Sequence, residues 1–110
     1  MVQDTIQKIE AKLNGNEAIK PENRAELVEL LHQLKSEINT LAETNAESAQ
    51  TVAGFTEVSA HEATRTQKNP ELIELSLKGL SQSVTEFEGS HPTLVAVVNR
   101  ICTTLSNMGI

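Results

Sequence analysis

Four side chains in this sequence could carry chemistry near neutral pH: His32, His61, His91 and Cys102. A histidine can move a proton or hold a metal. A cysteine becomes a nucleophile once it is a thiolate. Spacing decides whether such groups can cooperate. Metal centres in helical bundles need carboxylates and histidines that converge, often as Glu-x-x-His. Glu57 and His61 stand four apart in EVSAHEA, with Glu62 adjacent, so one helical face could present a carboxylate and an imidazole. No second pair of this kind occurs, and no H-E-x-x-H is present. His32 lies beside a run of leucines in ELLHQL. These residues therefore read as a solvated helix face, with a metal-binding helical protein kept as a remote alternative. Cys102 follows Ile101 on an apolar stretch where Arg100 is the one charged neighbour within a turn, so it reads as a buried, inert thiol. An intersubunit disulfide is its minor alternative.

His91 sits in the densest local signal, EFEGSHPTL. The residue before a proline avoids helical angles. Proline itself suits the first helical position, because its missing N–H would be unpaired there anyway. Gly89, Ser90, His91 and Pro92 then form a structural corner. Gly89 is expected to close one helix, Ser90 to bridge, and His91 to cap the next. A Gly89→Val change is expected to be costly. The remaining glycines are scattered and form no phosphate loop, and there is no G-x-S-x-G. No catalytic, cofactor-binding or metal-binding residue is assigned, and no cofactor is expected. The chain reads as not an enzyme.

The elements that must position these residues follow from helical periodicity. Asp4, with Gln7 three residues on, predicts a capping box at the start of a helix over 1–14. Val2, Ile6, Ile9 and Leu13 form its apolar seam, and Asn14, Gly15 and Asn16 supply the stop. Pro21 opens a second helix. Leu27, Leu31, Leu34, Ile38 and Leu41 step by four and three, with Leu30 widening the stripe. The same rhythm reaches Asn45, Ser48, Val52 and Phe55. That extension predicts one long helix over 21–52, about 45 Å at 1.5 Å per residue. Asn45 is then either a register-setting polar core residue or the point where the seam leaves the core. Residues 53–69 stay open between helix and linker. Asn69 and Pro70 open a helix over 70–88, with Ile73, Leu77, Leu80, Val84 and Phe87 as its seam. Pro92 opens the last, over 92–108, with Leu94, Val98, Ile101, Leu105 and Met108, and Gly109 as its cap. A three-residue corner makes these two an antiparallel hairpin. No strand-like alternation occurs, so the fold is all-α: a single domain over 1–110, a bundle of about four helices.

Composition adds the expected mode of action. The chain has 110 residues, no Trp, no Tyr and only Phe55 and Phe87 as aromatics. Such a core lacks the burial that aromatics give. From Pro92 onward Arg100 is the only side chain charged at neutral pH, so the last helix is expected to be central, covered on more than one side. These points favour a homo-oligomer whose core is shared between subunits. The suspected interface is Leu94, Val98, Ile101, Leu105, Met108, Leu34, Ile38 and Leu41. A protein–protein binding module offering an apolar helical groove is the alternative. The net charge is −6, held within residues 1–64, where eleven acids face five bases. An acidic chain without a basic stripe argues against nucleic acid and anionic membranes as partners. A lone cysteine gives no disulfide framework. The opening MVQDTIQKIE has no long apolar run, so no signal peptide is expected and the cytoplasm is the simplest location.

The C-terminal run FEGSHPTLVAVVNRICTTLSNMGI resembles the signature of a small bacterial domain family of unknown function. Its members are short acidic helical proteins ending in Phe-Glu-x-Ser-His-Pro, a Leu-rich helix and Gly-Ile. The opening QDTIQKIEAKLNGNEAIKPENRAELVELLHQLKSEI resembles the same family. Residues 43–69 appear as a longer middle. The resemblance implies a helical fold and a bacterial cytoplasmic setting, and it transfers no catalytic residue.

Overall fold

A computed structural model describes residues 2–15 and 19–109. Among them are five α-helices, one 3-10 turn and no strand: α1 (Val2–Asn14), α2 (Pro21–Ala42), α3 (Ala46–Thr64), α4 (Pro70–Ser83), the turn Thr85–Phe87 and α5 (Pro92–Gly109). The all-α expectation holds, with one more helix than about four.

Local chemistry explains most boundaries. Asn69 accepts from the backbone N–H groups of Glu71 and Leu72 at 3.0 and 3.3 Å, and Pro70 follows at the first helical position. Lys20 stands at the α2 cap without a side-chain bond, so Pro21 alone marks that start. Asp4 lies inside the first turn of α1, where its charge favours the helix dipole, instead of capping it. No described residue has positive φ. Gly15 therefore ends α1 without a left-handed turn, and Asn16 lies outside the described residues, as does the side chain of Val2. Helix α5 runs on through Gly109.

The single long helix expected over 21–52 is two helices. After Ala42 the backbone N–H groups of Thr44 and Asn45 both donate to the Leu41 carbonyl, at 3.2 and 2.8 Å. The Asn45 side chain then accepts from the Ser48 N–H at 3.3 Å and starts α3. Asn and Thr offer the backbone hydrogen bonds that compete with a helix interior, and here that competition wins. Asn45 is thus a cap and not a polar core residue. Residues 53–64 are helical, and 65–69 connect α3 to α4. The protruding 45 Å rod is absent: the molecule measures 37 × 25 × 21 Å. The expected helix over 70–88 likewise stops at Ser83, and the 3-10 turn carries Phe87 inward.

The seams read from sequence are buried. Ile6, Ile9 and Leu13 of α1 face Leu27, Leu30, Leu31, Leu34, Ile38 and Leu41 of α2 in one core. Ile73, Leu77, Leu80, Val84 and Phe87 join it, with Leu94, Val98, Ile101 and Leu105. The central element is α3, not the last helix. It touches α1, α2, α4 and α5, whereas α1 touches only α2 and α3. Small side chains explain this: Ala49, Ala53, Thr56, Ser59, Ala60 and Ala63 are buried and let four neighbours approach closely. Helix α5 keeps a solvent stripe at Ala96, Asn99, Arg100, Thr103 and Asn107, so Arg100 and three uncharged polar residues supply most of its wet face.

Arg24 ties the N-terminal region together. Its guanidinium donates to the carbonyls of Leu13 and Ile19, at 3.1 and 3.3 Å. The Leu13 carbonyl in the last turn of α1, and the Ile19 carbonyl ahead of α2, thereby gain a charged donor.

Candidate functional site

The structure separates the residues that could do chemistry. His32, on α2, lies with Nδ1 4.0 Å from a Glu10 carboxylate oxygen. His61, on α3, lies with Nε2 3.9 Å from Glu62. Glu62 turns mainly to Arg65, whose guanidinium donates to it at 3.0 Å. Glu57 and His61 do share a wall of the cleft between α1 and α3. That cleft holds about 430 Å³ over Ile9, Leu13 and Ala60, with Lys8 and Lys12 opposite. Among the described residues no group of three His, Cys, Asp or Glu side chains converges as a metal site would require.

Cys102 is half-buried on α5, with Sγ 3.8 Å from the Leu77 carbonyl. Burial pushes its thiol up to about 11. The thiolate is disfavoured because desolvation penalises charge. A thiol in this state is a poor nucleophile at neutral pH.

At the corner, the His91 N–H donates to the Phe87 carbonyl at 2.7 Å, and the His91 carbonyl accepts from Val95 to start α5. The imidazole meets the Phe87 ring edge-on, with centroids 5.8 Å apart and planes at 74°. His91 and Pro92 thus hold the expected places, and Ser90 lies in the turn between. Gly89 does not close a helix, because α4 has ended at Ser83. Its φ is not positive, and a Cβ there would meet nothing within 4 Å. The expected cost of filling Gly89 has no steric basis.

The suspected interface residues are placed inside one chain. Leu34, Ile38, Leu41, Leu94, Val98, Ile101 and Leu105 are buried, and Met108 packs against their core half-buried. The chain's own helices cover these faces, so they present no surface to a second subunit. The apolar surface lies elsewhere. Among the described residues the exposed large hydrophobics are Phe55, Val58, Leu72 and Leu75, all on α3 or α4. Phe55 and Val58 fall on one stripe of α3, and Leu72 and Leu75 on one stripe of α4. The two stripes are joined where the Phe55 ring lies over Gly79: a Cβ at Gly79 would overlap that ring. Gly79 is therefore the glycine whose missing side chain matters. Nearby, the Ser59 hydroxyl is buried without a hydrogen-bond partner. Sequence reading missed this face because Leu72 and Leu75 look like further core positions of an apolar helix. Their phase, one step off the Ile73–Leu77–Leu80 seam, was the available signal.

Buried seams on five helices, a mostly small-residue central helix and an apolar outer face define an all-α bundle. The profile of a domain of unknown function, DUF4404, matches residues 2–110, and the chain belongs to that family. The match spans the chain from end to end of that range, residues 43–69 included. No curated protein and no solved structure matches the chain. Among the described residues no helix is long and apolar enough to cross a membrane.

Proposed function

We propose that this protein is non-enzymatic and works as a homo-oligomer, with the outer face of α3 and α4 as the associating surface. The observation that carries this is the gathering of Phe55, Val58, Leu72 and Leu75 on that one face. Scattered single apolar residues are ordinary on a surface, but a contiguous set marks an interaction site. The poor nucleophilicity of the Cys102 thiol and the separation of the histidines favour a role without chemistry. Light scattering behind size exclusion tests the reading. At micromolar concentration the mass should be at least twice the 12.0 kDa of one chain. A monomer under those conditions would overturn it.

The α1–α3 cleft favours a second reading, a module that receives an apolar segment of another protein. A dye that brightens on apolar surface separates the two. Strong dye binding by a well-folded monomer supports the module, and weak binding by an oligomer supports the first reading.

A further inference from the structure

We infer that the face is closed by a second copy of this chain, through a two-fold axis that crosses α4 beside Leu75 and sets the two α4 helices antiparallel. This rests on the homo-oligomer reading and names its surface and symmetry. Leu75 is the most exposed of the four apolar residues, at 65%. On α4 the residues Leu72, Leu75 and Gly79 step by three and four, so they form one stripe on successive turns. Glu71 and Lys78 are exposed along the edge of that stripe. They are seven residues apart, about 10.5 Å along the axis, with Leu75 near the midpoint.

A two-fold contact is self-complementary: residue i meets residue j, and j meets i. With the axis between Glu74 and Leu75, antiparallel helices place Glu71 opposite the partner's Lys78, and Lys78 opposite the partner's Glu71. The two Leu75 side chains then meet at the axis. A parallel two-fold pairing would place the two copies of this edge on opposite sides of the contact, so that neither Glu71 nor Lys78 meets a partner charge. Charge thus selects the antiparallel arrangement. Neither side chain has an ion-pair partner among the described residues of its own chain, so both are free to serve. The Phe55 ring over Gly79 widens the apolar area beyond α4. An apolar centre with a charged rim is the anatomy of a specific interface of about 800 Å² per partner.

Sedimentation or light scattering over a concentration series tests the surface with three variants. Leu75→Glu should give a monomer whose circular dichroism matches the wild type, because Leu75 is exposed and no core contact is lost, and whose melting temperature no longer depends on concentration. Lys78→Glu should weaken the dimer about tenfold, by setting carboxylate against carboxylate. The exchange Glu71→Lys with Lys78→Glu should restore it. An oligomer that survives Leu75→Glu overturns this surface while leaving self-association standing. A wild-type monomer overturns both. Failure of the exchanged pair to recover overturns the antiparallel register.

Discussion

Gly79 and Gly89 look alike in the sequence and act differently in the fold. Gly89 has room and ordinary backbone angles, so Gly89→Ala should hold or raise the melting temperature, through a less flexible unfolded chain. Gly79 lies inside α4, where alanine would ordinarily be favoured by about 1 kcal/mol. The Phe55 ring occupies that space, so Gly79→Ala should lower stability by about 1–3 kcal/mol, the usual range for overpacking. In a Phe55→Ala background the same change should become stabilising. Chemical denaturation of the four proteins of this cycle checks the reversal of sign. An unchanged sign would separate Phe55 from Gly79. The corner at His91 was legible because proline and the residue before it have narrow backbone preferences. The Gly79 contact was not, since nothing local announces a ring arriving from another helix.

The helices were legible in proportion to the contrast between their faces. In α2, leucines and Ile38 alternate with Glu, Lys and Gln, and every seam position is buried. In α3 the buried face is Ala, Ser, Thr and Val, and the exposed face holds Ala46, Gly54, Phe55 and Val58. The two faces differ little, so periodicity carries little signal. Extending the α2 rhythm through residues 43–45 also failed for a geometric reason. A break between helices resets rotational phase, so Val52 stays inside while Phe55 turns outward. The Asn45 cap that makes this break can be measured. Asn45→Ala should cost about 1 kcal/mol, with Asn45→Asp or Asn45→Ser retaining most of the stability. Equal melting of the alanine variant and the wild type would show that the backbone alone sets the boundary.

At the scale of the whole molecule, charge opposes the association that the apolar face favours. Each chain carries −6. Two such chains with centres about 25 Å apart repel by roughly 6 kcal/mol in water without salt. Near 0.15 M salt the Debye length is about 8 Å and this repulsion nearly vanishes. Each exposed Glu71–Lys78 pair contributes about 1 kcal/mol at most, so the net repulsion decides the salt response. Dimerisation should therefore tighten as salt rises from about 10 to 150 mM. Sedimentation equilibrium at the two salt levels checks it, and a dimer that loosens with salt would mean that ion pairs dominate.

The central place of α3 bears on the order in which the fold can assemble. Chains emerge from the ribosome N-terminus first. The helix pair α1–α2 is made before α3, yet both members need α3 to cover their apolar faces. Until residues 46–64 have emerged, the leucines of α2 have only α1 to pack against. The first half of the chain thus waits for its middle, and premature release would leave a leucine-rich hairpin with one side open to solvent.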